Sequence, residues 1–169
     1  MSPKELRALL TNIAAGDRDA FEALYHEISV PVFTVLLRIT RNRDLSEDLL
    51  QEFFLKVFRT PPAQAQNPRA YLFQMAHNLA LDALRTAHPT EELDDSAPVF
   101  SADPTLKLGL ELAFARLSLP ERQIVALHLY AGLKFREIAE ICSLPLGTVL
   151  WRYRKAIGQL QNELNGGTE

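Results

Sequence analysis

The sequence predicts an all-α chain made of two small helical domains joined by a flexible acidic linker. Leu and Ala recur at spacings of three and four, the period of a helix with one buried side. Glycine is scarce, at seven in 169 residues, and runs of β-branched residues are short, which disfavours sheets. The stretch His88–Pro104, HPTEELDDSAPVFSADP, carries three prolines, a run of acids and no helical period. It divides the chain into residues 1–87, a linker at 88–104, and residues 105–169.

Taken in order, Ser2-Pro3-Lys4-Glu5 is a capping box with proline at the first helical position, and Gly16 ends that helix. A second helix begins at Asp17, and Pro31 starts or kinks its continuation, VFTVLLRIT. Asp44–Glu47, DLSE, reads as another capping box, opening a patterned helix that runs to about Arg59. TPPAQAQNP is a loop by its prolines, and RAYLFQMAHNLALDALRTA is the last helix of the first unit. In the second unit Asp103 is placed to cap a helix whose first residue is Pro104. SLPE caps a helix from about Leu119 to Tyr130. KFREIAEIC, a short turn SLP, and a helix from Leu146 to about Leu164 follow.

With 47% hydrophobic and 23% charged residues the composition is that of a soluble, core-forming chain. The net charge of −3 argues at first against nucleic acid. Its distribution reverses that inference. Residues 1–86 carry ten acids and ten bases, residues 108–169 six acids and seven bases, and residues 87–107 five acids against Lys107 alone. Each helical unit is near neutral and free to present a basic face.

Cys142 is the single cysteine, so no internal disulfide forms, and it reads as a buried small apolar residue. His26, His77, His88 and His128 are dispersed, no Cys/His pair has metal-ligand spacing, and no Gly-rich phosphate loop is present. Neither a catalytic centre, a metal nor a cofactor is expected. The N-terminus lacks a secretory signal and no apolar run approaches membrane-spanning length, so a cytoplasmic protein without membrane insertion is expected.

Two helix faces carry information. At about 100° per residue, Leu45, Leu49, Leu50, Phe53, Phe54 and Val57 gather on the core side of Asp44–Arg59. Asp48, Gln51, Glu52 and Leu55 lie at i, i+3, i+4 and i+7 on the opposite side. That side is either a solvated surface with one stray leucine, or an acidic docking stripe with an apolar anchor for a basic partner. On Leu146–Leu164 the core side is Val149, Tyr153, Ala156, Leu160 and Leu164. Thr148, Trp151, Arg154 and Lys155 face away, with Arg152 at the boundary and Leu150 flanking. A helix of about nine residues, a tight turn and a longer helix with basic residues near its start fit a helix-turn-helix, or an ordinary helical hairpin. Ala139 is the small residue expected where the two helices approach.

DLLQEFFLKVFR (48–59), NPRAYLFQMAHNLALDALR (67–85) and LPERQIVALHLYAGLKFREIAEICSLPLGTV (119–149) together resemble the sigma factors of bacterial RNA polymerase. The resemblance is to the extracytoplasmic-function (ECF) group of the sigma-70 family, in which a region 2 helical bundle and a region 4 helix-turn-helix are joined by a linker. It implies a specialised sigma factor that binds core RNA polymerase and directs promoter recognition and transcription initiation, without enzymatic chemistry. It also implies an anti-sigma partner. On this resemblance Asp48, Gln51, Glu52 and Leu55 match the surface that docks on the clamp helices of the largest polymerase subunit. The loop from Thr60 to Pro68, with Asn67, matches the one that captures a flipped base of the −10 element, where an unstacked base exposes its pairing edge. Asn67, Arg69, Tyr71, His77, Asn78 and Arg85 are the implied −10 contacts; the Tyr71 ring fits either the strand or the core. Arg136, Glu137, Thr148, Trp151, Arg152, Arg154 and Lys155 are the implied −35 contacts. The linker, with Glu91, Glu92, Asp94, Asp95, Val99 and Phe100, either threads polymerase toward the RNA exit path or serves only as a tether.

The chain departs from the family pattern at Tyr71, where tryptophan is usual, and at Leu150 and Trp151, where polar or basic residues are usual. Ser143 replaces a turn glycine, and LRTAHPTEE holds one arginine where several are usual. Two other classes stay open on these departures: a sigma-like adaptor with reduced promoter reading, and a stand-alone helix-turn-helix regulator.

Overall fold

The computed structural model describes residues 1–86 and 104–166. The linker residues 88–103 lie outside the described residues, and with them the expectations for Asp103 and for Glu91, Glu92, Asp94, Asp95, Val99 and Phe100. Among the described residues there are eight helices and no strand: α1 Pro3–Ala14, α2 Arg18–Thr40, α3 Arg43–Arg59, α4 Pro68–Thr86, α5 Pro104–Ala115, α6 Leu119–Leu129, α7 Phe135–Cys142 and α8 Leu146–Leu164.

Several helix starts follow the local chemistry read from the sequence. Ser2 and Glu5 close a reciprocal capping box on α1, and Ser118 and Glu121 close one on α6. Asp17 caps α2 by accepting from the Asp19 and Ala20 amides. α3 differs. Its cap is Asn42, whose side chain accepts from the Leu45 amide at 3.0 Å, so Asp44 lies inside the first turn and DLSE is not a capping box. The reason lies in the short connection from α2, where Arg41 adopts a left-handed conformation (φ 55°) and leaves Asn42 extended. Ser46 is buried instead, its hydroxyl 2.8 Å from that of Thr40.

Of the two roles open to Pro31, neither a new helix nor a break results: α2 runs through it for 23 residues. The lost backbone bond is outweighed by packing, since α2 lies against α1, α3, α4 and α6. This length also overturns the expectation that no apolar run approaches membrane-spanning size, because α2 qualifies by length and composition, with mean hydropathy 1.3. Ala20, Leu24, Ile28, Val32, Val35, Leu36, Leu37 and Ile39 face the protein interior, while Tyr25 and Val30 are exposed.

The core is continuous across both units. Leu10, Leu24, Leu36, Ile39, Phe53, Leu72 and Phe73 join Ile124, Leu127, Leu133 and Ile138 in one buried cluster. A smaller cluster around Ala113, Phe114, Val125, Ala156 and Leu160 holds α5, α6 and α8 together. The last six residues of α2, Val35–Thr40, are all buried. One helix face cannot account for that, so α6 covers the side that the first unit leaves open.

Candidate functional site

The exposed side of α3 presents Asp48, Gln51, Glu52 and Leu55 together, with Leu55 51% exposed and Glu52 3.9 Å from Lys56. Beside this row runs an open apolar groove lined by Phe21, Tyr25, Leu50, Gln51, Phe54, Leu55 and Phe58. Its aromatic rings brace one another edge-on, Phe21 against Phe58 at 5.4 Å and against Phe54 at 6.0 Å. Phe21, Tyr25 and Phe58 were not picked out from the sequence. The signal available was Phe58 at i+3 from Leu55, which continues the exposed row by a further turn.

α4 divides the implied −10 residues between two surroundings. Tyr71 is half exposed, so its ring is not core, and with Gln74, Asn78, Asp82 and Lys56 it lines a polar groove between α3 and α4. Arg85 is exposed and 3.1 Å from Asp82. Lys56 and Gln74 are additions that only the packing of α3 beside α4 reveals. The other three residues turn toward the second unit. Asn67 accepts from the Ala70 amide, capping α4, while its amide donates to Glu137 Oε2 at 2.7 Å. Arg69 Nε donates to the Ala131 carbonyl at 2.6 Å, and burial lowers its pKa. His77, expected beside the strand, is instead 2% exposed between α4, α6 and α7. Its Nε2 is 3.2 Å from Gln123 Oε1 and 3.9 Å from Cys142 Sγ, and its Nδ1 has no partner. Burial pulls the His77 pKa down and pushes the half-buried Cys142 thiol up to about 11. The loop before α4 is pinned from α1, where Arg7 donates to the Gln66 carbonyl at 2.8 Å.

α7 and α8 meet across the three-residue turn Ser143, Leu144 and Pro145, in which Ser143 is left-handed at φ 55°. Val149, Ala156 and Leu160 are buried and Tyr153 half-buried among His128 and Phe135, whereas Leu164, placed on the core side from the sequence, is 44% exposed. That last turn is held by an ion pair instead, Arg116 donating to Glu163 at 2.7 and 2.8 Å. Outward stand Trp151, Arg154 and Lys155, exposed, with Arg136 at the start of α7; Thr148 and Arg152 are half-buried. Glu137, by contrast, is engaged by Asn67 and by the Lys134 amide.

Sigma-70 region 2 matches residues 24–90, and sigma-70 region 4 matches residues 107–160. The chain is 30% identical over 176 positions to the ECF RNA polymerase sigma factor SigK of Mycobacterium ulcerans, covering 95% of this chain and 94% of that one. The chain belongs to the ECF sigma factors. SigK of Mycobacterium tuberculosis is 27% identical over the same shares. Two solved structures have the same fold. CnrH, in complex with the cytosolic domain of CnrY, gives a TM-score of 0.71 at 19% identity over 97% of this chain and 99% of that one. RpoE, in complex with the anti-sigma factor NepR from Bartonella quintana, gives 0.74 at 20% identity over 88% and 98%.

As an ECF sigma factor the chain directs transcription initiation by RNA polymerase, and its family consists of regulators rather than enzymes. In this sigma factor the region 2 match takes in most of α2 with α3 and α4, the region 4 match takes in most of α5 and α8 with α6 and α7, and α1 lies ahead of the first match.

Proposed function

We propose that this sigma factor docks on core polymerase through the outer face of α3, holds the melted −10 strand along α4, and reads the −35 element with α7 and α8. The observation that carries the reading is the union of an acidic row, Asp48, Gln51 and Glu52, with an exposed leucine and an aromatic groove. A solvated surface has no use for Leu55 and Phe58 half in water. A basic partner helix with an apolar ridge satisfies both halves of that surface.

Along α4, Tyr71 offers a stacking face, and Asn78, Gln74 and Lys56 offer polar and cationic groups to bases and phosphates. On α8, Arg154 and Lys155 meet backbone phosphate, and Trp151 packs on a thymine methyl or a sugar. Few cations serve each element, so the isolated protein binds DNA weakly; attachment to polymerase supplies the missing affinity through effective concentration. The protein acts in the cytoplasm, without a cofactor or chemistry of its own, and is restrained by an anti-sigma factor, a reading supported by the complex of RpoE with the anti-sigma factor NepR.

The test is run-off transcription with purified core polymerase on promoters of the host genome. Specific transcripts support the reading. Binding to core without transcripts indicates an adaptor, and tight duplex binding without core indicates a stand-alone regulator.

A further inference from the structure

Glu121, in the first turn of α6, is only 4% exposed and divides its two oxygens between two tasks. Oε2 accepts from the Ser118 amide at 3.1 Å, while the Ser118 hydroxyl accepts from the Glu121 amide at 3.4 Å. That half of the side chain closes the cap of α6. A cap needs no charge, because glutamine at this position closes the same box. A buried carboxylate is also costlier to desolvate than an amide, so the cap alone does not account for an acid here.

Oε1 turns the other way, to Lys155 Nζ of α8 at 3.5 Å. The same ammonium lies 5.4 Å from the centre of the Trp151 ring, one helical turn earlier. The ring is exposed, so core packing does not choose its rotamer. A free lysine, with four rotatable bonds, would not choose it either. Lys155 restrains the ring because Glu121 holds the ammonium, and Glu121 is itself fixed by the cap. The remaining N–H groups of Lys155 stay available to backbone phosphate.

We propose that Glu121 is a positioning residue for −35 recognition: through Lys155 it fixes the Trp151 ring in one orientation and so sharpens base preference at the position the ring meets. This rests on the assignment of Trp151 and α8 to the −35 element. An indole held in one place distinguishes a thymine methyl from its absence, whereas a freely turning one finds apolar contact with many sequences. The carboxylate has a second effect, since it offsets the charge that Lys155 presents to phosphate. Discrimination and non-specific affinity are therefore set in opposite directions by one residue.

The full chain carrying Glu121→Gln, which keeps the capping box, is compared as holoenzyme with the parent, with Trp151→Ser and with the double variant. Base preference is read by selecting promoters from a randomised −35 element. Affinity for duplexes with a scrambled −35 element is measured at several salt concentrations, with a thermal melt confirming each fold. Glu121→Gln should weaken base preference about two- to fivefold, the factor an exposed cation–ring contact carries. It should also tighten binding to scrambled duplexes and steepen the salt dependence, which a damaged fold would not do. In the Trp151→Ser background it should change preference no further. Lys155→Gln, an exposed change that spares the cap, should repeat the loss of preference but weaken DNA binding. Unaltered preference in both Glu121→Gln and Lys155→Gln, with preference altered in Trp151→Ser, overturns the positioning and leaves Trp151 as a reader. A loss from Glu121→Gln that is as large without Trp151 also overturns it. No effect of Trp151→Ser on preference faults the −35 assignment of that residue itself.

Discussion

Lys155 Nζ lies 5.4 Å from the centre of the Trp151 ring and 3.5 Å from Glu121 Oε1, the capping carboxylate of α6. The most exposed aromatic residue of α8 therefore stands beside a cation that is also tied to the neighbouring helix. Trp151, at 59% exposed, makes no core contact that its removal would empty.

Trp151→Ser should leave stability within about 0.5 kcal/mol of the parent, as for a surface substitution. The −35 preference, read by selecting promoters from a randomised upstream element with core polymerase present, should shift. A large drop in melting temperature would assign Trp151 a structural role after all.

Leu55→Arg places a cation at the centre of the acidic and apolar face of α3 proposed for docking. The affinity for core polymerase should fall at least tenfold, about 1.4 kcal/mol, in a fluorescence titration. Stability should hold within about 0.5 kcal/mol because Leu55 is half in water. An unchanged dissociation constant would remove α3 from the polymerase contact.

Ser143 occupies a left-handed conformation (φ 55°, ψ 45°) in which a Cβ is disfavoured. Ser143→Gly should stabilise the protein by about 0.5–1 kcal/mol, the relief of strain being partly offset by the greater freedom of glycine in the unfolded chain. Denaturant titration reads this directly, and a loss of stability would show that the hydroxyl makes a compensating bond.

His77 gives a pH dependence with a definite sign. Burial holds its pKa below the ordinary value of 6.5, so the unfolded chain takes up a proton before the folded one does. The contribution of this residue is complete above pH 6.5 and is lost as pH falls below it. The urea midpoint should therefore be lower at pH 5.5 than at pH 7.5, and His77→Gln should flatten that difference. An identical slope in the variant would place the titration elsewhere.

What the sequence made legible was local. The capping boxes at Ser2 and Ser118 and the stop at Gly16 all depend on chemistry within four residues, whereas Ser143 stood out only against the turn glycine usual in the family. Pro31 and Asn42 were harder for opposite reasons: tertiary packing carried α2 through the first, and a left-handed Arg41 moved the cap of α3 forward to the second. The exposed row Asp48, Gln51, Glu52 and Leu55 was readable because it lies on one helix, whereas the groove beside it was not, because Phe21 and Tyr25 come from another. Helical period says that a face is apolar without saying what covers it. Arg38 thus reads as an ordinary basic residue in a last turn, and His77 as a polar side chain beside a strand, until α6 and α7 are brought against them.

The cover over the end of α2 is made long after α2 itself. About eighty residues separate Thr40 from the start of α6 at Leu119, which at 5–20 residues per second is roughly 4–16 s of translation. During that interval a ribosome carries a first unit whose Leu36 and Ile39 still lack part of their packing. The nascent chain thus passes through a partly uncovered form on every round of synthesis, and the pace of elongation sets how long it lasts.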